Sequence, residues 1–158
     1  MSIEAGPLRP SSTQGRATDA FSGTPPIGAV ELSERRHFPA ERDAVPAARH
    51  AVSELVATVD DDFGETAELL VSELVTNSVK HSGMSPNGLI LVHVLLDSNR
   101  LRIEVADDGP GFDVPANEPN NGKPGGRGLL LVRRLSQRWG MRDQPRTCVW
   151  FELARAVP

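Results

Sequence analysis

Between Asp43 and Val59 the apolar residues fall at Val45, Ala48, Val52, Leu55, Val56 and Val59, the three-and-four spacing of a helix with one buried side. Asp43 stands where a cap belongs. A second helical period runs through DDFGETAELLVSELVTNSVKHSG, with acids near its start and Gly83 as a natural stop. At about 100° per residue, Ala67, Leu70, Val71, Leu74, Val75 and Ser78 form its apolar stripe. Glu73 and Asn77 lie on one flank of that stripe, with Lys80 just outside them. The period then drops to two. LILVHVLL and LRIEVAD, separated by DSNR, predict a hairpin whose first strand is apolar on both faces and whose second alternates. Leu101, Ile103 and Val105 share the inward face, and the same period aims Asp107 at the interior.

RRHFPA predicts a short first strand ahead of these elements. After the hairpin, Gly109 to Gly126 holds Pro110, Pro115, Pro119 and Pro124 among glycines and asparagines, which predicts a long loop of the kind that serves as a lid. GRGLLLVRRLSQRW then predicts a helix burying Leu131, Val132 and Leu135. WGMR and TCVWFEL, around a turn at DQPR, predict a last pair of strands with Thr147, Val149, Phe151 and Leu153 on one side. The order is strand, two helices, two strands, lid, helix, two strands. It predicts an α+β fold, a two-layer α/β sandwich in which helices cover one face of a mixed sheet. Residues 1–35 are rich in Gly, Pro, Ser and Thr without a sustained period and are expected to form a flexible tail, leaving 36–155 as the folded domain.

Composition narrows the setting. At 158 residues with a formal charge of −4 and a pI near 5.6, the chain offers no wholesale attraction to nucleic acid or acidic membrane surfaces. No apolar run approaches the roughly 20 residues that span a bilayer, and MSIEAGPLRPSS lacks the pattern of a secretion signal, so a cytoplasmic location is expected. The single cysteine, Cys148, has no partner for a disulfide and no zinc-ligand spacing around it, and reads as a small core residue.

The chemistry lies in the inward polar residues. Burying the Glu73/Asn77 pair and Asp107 without partners would cost on the order of 1–3 kcal/mol for a polar group and more for a charge, so something polar should fill the space between them. NGKPGG is not a phosphate loop of the Walker type, because that pattern would need glycine at 117 and Ser or Thr at 124, where Asn117 and Pro124 stand. The glycines near 109 and 126 do not complete a dinucleotide fingerprint. The four histidines show no ligand spacing, and Trp139 and Trp150 read as packing residues.

ELVTNSVKH, DDGPGF, GGRGLLLV and TCVWFEL, in that order over about residues 36–153, resemble the four ordered blocks of the GHKL superfamily of ATP-binding domains. Gyrases and sensor histidine kinases share that superfamily and its Bergerat-type fold. The nearest likeness is to its small bacterial anti-sigma-factor serine/threonine kinases. The resemblance implies ATP and Mg²⁺ as ligands. It makes Glu73 the general base toward an acceptor hydroxyl, Asn77 the Mg²⁺ ligand, and Lys80 a basic residue aimed at a phosphate. Asp107 would accept a hydrogen bond from the adenine amino group, Gly109 and Gly111 would let the backbone pass close to the base, Gly126 and Gly128 would open the helix after the lid, and Thr147 would help hold the purine.

Two departures stand out: a short, proline-rich lid, and QPR where the family has a glycine before its last strand. By the same resemblance the partner is a protein, a sigma factor or an anti-sigma antagonist, with no direct contact to nucleic acid or membrane, and dimers are in keeping with it. Two functions follow: Mg·ATP-dependent phosphorylation of a partner's serine or threonine, or a non-catalytic module that binds ATP and switches partners without turnover. Glu73 favours the first, since a pure switch needs no base.

Overall fold

A computed structural model of the chain describes residues 27–59, 62–81, 87–109, 126–142 and 146–156. Most of the expected N-terminal tail, nearly all of the expected lid with Gly111, and most of the DQPR turn lie outside the described residues.

The described elements run β1 (Leu32–Pro39), α1 (Ala44–Val56), α2 (Gly64–His81), β2 (Leu89–Leu96), β3 (Arg100–Asp107), α3 (Gly126–Leu135), β4 (Arg138–Arg142) and β5 (Thr147–Ala154). They give the expected α+β fold, with the five strands ordered β1-β2-β3-β5-β4. Every neighbouring pair is antiparallel, where a mixed sheet was expected. The reason lies in the element order. Each element reverses the chain's direction, so β3 and β4 run the same way, and β5, running the other way, is inserted between them. The first strand also begins earlier than expected. Leu32 to Glu34, expected in the tail, pair with Leu96 to Val94 along the edge of the sheet, and Glu31 N donates to Leu96 O at 2.7 Å.

The helices cover one face. Val52 of α1, Leu70 and Val71 of α2, Ile103 of β3, Val132 of α3 and Phe151 of β5 are all fully buried in a single cluster between the layers. Each side chain of this size stabilises the fold by about 1.5–3 kcal/mol when taken from water. The α2 stripe is buried as its period requires, Ser78 included. Two details of the helices differ from expectation. Asp43 precedes α1 at helical angles (φ −68°, ψ −14°) and makes no side-chain cap bond. Leu135 is 44 % exposed, because α3 ends at that residue and the chain turns into β4 at Arg138, three residues on.

The opposite face of the sheet is buried as well, and it is charged. Glu152 of β5 accepts from Arg102 Nε at 2.8 Å and from Arg100 Nη1 at 3.1 Å, and Arg102 also lies over the Trp150 ring, 5.1 Å from its centroid. Glu104 and Arg102 are each only 2 % exposed, so the alternation seen in LRIEVAD separates an apolar inner face from a paired ionic face. Cys148 is buried on this ionic side, beside Leu91 and Ala106, with its thiol pushed up to about 12 by burial.

Candidate functional site

Three elements bring the inward polar residues together at one end of the sandwich. The last turns of α2 supply Glu73, Asn77 and Ser78, the final residue of β3 supplies Asp107, and the first residue of β5 supplies Thr147, which is the cross-strand partner of Asp107. The period-two argument that aimed Asp107 inward holds. Asp107 is 4 % exposed, on the same side of β3 as Val105. Leu74, Asn77, Ser78, Val105, Asp107, Thr147 and Val149 surround a pocket whose enclosed space of about 10 Å³ admits about one water. Its floor is polar and its walls are aliphatic.

Among the described residues Asp107 has two donors. Ser78 Oγ donates to Oδ2 at 2.8 Å, and Gly109 N donates to Oδ1 at 2.9 Å. Among the described residues no cation pairs with it. Arg146, whose charge acts on Asp107, is engaged at 2.9 Å with Asp108 instead. Burial therefore dominates and raises the Asp107 pKa above its ordinary value. The bonds from Ser78 and Gly109 pull it down, Asp108 pushes it up, and the charge of Arg146 pulls it down.

Asn77 is 8 % exposed, and its Nδ2 is buried without a hydrogen-bond partner among the described residues. A buried amide left open in this way costs about 1–3 kcal/mol unless something fills it. Glu73, one turn earlier on the same face, is half-buried. Against both lies the start of α3. A Cβ added to Gly128 would stand 2.9 Å from Asn77 Nδ2, 3.3 Å from Glu73 Cβ and 3.4 Å from Glu73 Oε2. Glycine at 128 is thus what lets the first turn of α3 close on the Glu73/Asn77 edge, and it leaves backbone donors of a helix start beside them.

The structure gathers Glu73, Asn77, Asp107, Gly109, Gly128 and Thr147, while Gly126 is the first residue of α3. Lys80 is exposed, and among the described residues no contact joins it to the group. Gly111 lies outside the described residues. Sequence reasoning placed Ser78 in the stripe and gave it no role. The available signal was a hydroxyl at a fully apolar position one residue after Asn77.

A sequence model of the histidine kinase-like ATPase domain matches residues 38–153. Serine-protein kinase RsbW from Staphylococcus aureus strain RF122 is 33% identical over 92 residues, covering 50% of this chain and 57% of that protein. The RsbW of strain MRSA252 gives the same figures. The match thus spans little more than half the length of these relatives. Among solved structures, the histidine kinase domain of the Erythrobacter litoralis EL346 blue-light activated histidine kinase aligns with a TM-score of 0.48 and 22% identity, over 70% of this chain and 59% of that one. No helix among the described residues is long and apolar enough to cross a membrane.

Proposed function

Because the chain belongs to the histidine kinase-like ATPase domain family, we propose that it is a protein kinase of the anti-sigma-factor type, transferring a phosphoryl group from Mg·ATP to a serine or threonine of a partner protein. The observation that carries this reading is the pairing, across one small pocket, of a buried carboxylate without a cation partner among the described residues and a buried amide with an open end. The similarity to serine-protein kinases supports the choice of acceptor.

The donor set suits these ligands. Among the described residues no group of three or more His, Cys, Asp or Glu could cage a metal. Mg²⁺ does not require one, since it keeps waters and leans on substrate phosphates. Asn77 would hold it, because a half-turn of the open amide presents Oδ1, a hard oxygen. When bound, the ion neutralises phosphate charge. Asp107 and Thr147, which line the pocket, would receive the purine. The glycine-opened start of α3 offers backbone N–H groups to phosphate oxygens. Glu73 is the general base. It takes the proton of the acceptor hydroxyl as that oxygen bonds to the terminal phosphorus and the bond to the departing diphosphate oxygen breaks, with the electrons leaving on ADP.

We assign the kinase domain to residues 32–155. The partner is a sigma factor or an anti-sigma antagonist. The test is incubation of the full chain with labelled ATP and the proteins encoded beside its gene. Glu73→Ala should bind ATP within about twofold of wild type and lose on the order of 10²–10⁴ in transfer rate. Transfer at the wild-type rate in that variant removes the base, and a wild-type chain that binds ATP yet labels no partner favours the switching module over the enzyme.

A further inference from the structure

We propose that Ser78 is a positioning residue that sets the site's preference for a 6-amino purine, by fixing Asp107 as an acceptor whose unused lone pairs face the pocket. The inference rests on the reading above that Asp107 receives the purine.

Hydroxyls on a helix ordinarily bond back to their own backbone, and two others on α2 do so: Ser72 Oγ donates to Glu68 O and Thr76 Oγ1 to Ser72 O, each at 2.7 Å. Ser78 does not follow them. Its hydroxyl crosses from the helical layer to the sheet and donates to Asp107 Oδ2 at 2.8 Å, with the two side chains 6 % and 4 % exposed. Gly109 N holds the other oxygen, Oδ1, at 2.9 Å. With one donor on each oxygen, the carboxylate cannot turn without breaking a bond, and each oxygen keeps one lone pair that no described residue takes. Leu74, Val105 and Val149 line the pocket beside the pair and lower the local dielectric, which strengthens every polar contact made there.

An acceptor-only group fixed in this way suits a ring carrying an exocyclic amino donor and opposes one carrying an oxo group, where lone pair would face lone pair. Without the Ser78 hydroxyl, Oδ2 is left buried with no donor among the described residues. The carboxyl then turns more freely and takes up a proton more readily, and a protonated carboxyl can donate to an oxo group. Discrimination between the two kinds of base therefore depends on an atom that need not touch the base.

The experiment measures Mg²⁺-dependent binding of ATP and inosine triphosphate, which differ at the 6-position (amino against oxo) and in the hydrogen that inosine carries on N1, to the full chain by titration calorimetry. The variants are Ser78→Ala and Ser78→Cys, the second of which fills the volume with a weak donor and reports should the first fail to fold. The expected result is an ATP affinity about tenfold lower in both variants, with inosine triphosphate changed by less than about twofold, so that the ratio contracts. In an Asp107→Asn background, Ser78→Ala should leave the ratio unmoved. Equal losses for both nucleotides, or a ratio unchanged from wild type, overturns the role of Ser78 while leaving the purine site standing. Failure of the wild-type chain to bind ATP overturns the site itself, and the inference with it.

Discussion

Asp97 and Asp107 sit at opposite ends of the β2–β3 hairpin, 2 % and 4 % exposed, and their carboxylates are held in opposite ways. Asp97 begins the turn and is saturated. It accepts from Gly28 N at 2.9 Å, Asn99 N at 2.8 Å and Arg100 N at 2.9 Å, with Arg100 Nε at 3.4 Å. Asp107 ends the hairpin with one hydroxyl and one N–H. Burial pushes both pKa values up. At Asp97 the backbone donors and the Arg100 charge outweigh it and the pKa falls, while at Asp107 burial prevails and the pKa rises. The same residue type on the same hairpin is thus a structural staple at one end and a group kept in reserve at the other. What separates them is how many lone pairs the described residues take.

The largest expected effect breaks the staple. Asp97→Ala leaves the N–H groups of Gly28, Asn99 and Arg100 without their acceptor, and hydrogen bonds to a charged group contribute about 1.5–3 kcal/mol each before partial replacement by water. A loss of roughly 3–4 kcal/mol in denaturant unfolding is expected, with ATP affinity per folded molecule unchanged. If Asp97→Ala weakened ATP binding while leaving stability intact, the division of labour between the two ends would be wrong.

Next comes the reserve group itself. Asp107→Asn keeps the shape and turns an acceptor into a donor toward the base, so ATP affinity should fall about 100-fold or more, as measured by calorimetry. Stability should change by less than about 1 kcal/mol, because the neutral amide avoids the cost of burying a charge. Asn77→Ala should likewise abolish Mg²⁺-dependent binding. Large unfolding penalties with intact nucleotide binding would make this end a staple too.

The two ends differed in how readily the sequence disclosed them. Period and turn chemistry in 43–153 were enough for the element order, the α2 stripe, the inward face of β3 and the aim of Asp107, because these depend on local geometry that a chain of alternating or helical apolar residues dictates. Leu32–Glu34 were missed because LSE has one apolar residue at the edge of the sheet and no apolar period to betray a strand. The antiparallel pairing throughout was missed because it depends on β5 entering between β3 and β4, a long-range choice. Arg102, Glu104 and Glu152 looked like the polar half of an alternating strand, and their burial follows from pairing across β3 and β5, which one strand cannot show. At the site, Glu73, Asn77 and Asp107 were legible as misplaced polar residues. Ser78 was not, since a serine in an apolar stripe is unremarkable until the acid it reaches is in place. Gly128 was legible as a helix opener, but its close approach to Asn77 and Glu73 appears only once α3 is docked.

The smallest effect is the most discriminating, because acid should move the two aspartates in opposite senses. The folded pKa of Asp97 lies below its ordinary value of 3.8, so its contribution to stability is present above pH 3.8 and is lost as pH falls through the lowered folded value. The folded pKa of Asp107 lies above 3.8, so the stability it contributes is present below pH 3.8 and is lost as pH rises through the raised folded value. ATP recognition needs the ionised form. In the window just above pH 3.8, lowering the pH should therefore weaken ATP binding while Asp107 protonation favours the fold. Below the raised pKa, affinity should fall by up to about tenfold per pH unit. Inosine triphosphate, with the same phosphates, corrects for titration of the phosphates, and protonation of the adenine ring, followed on free ATP, corrects for that of the base, so what remains in the ratio of the two affinities reports Asp107. The Tm difference between wild type and Asp97→Asn should close only below pH 3.8. A ratio that stays flat down to pH 3.8 would mean that Asp107 is as saturated as Asp97, and that the polar group facing the base is some other residue.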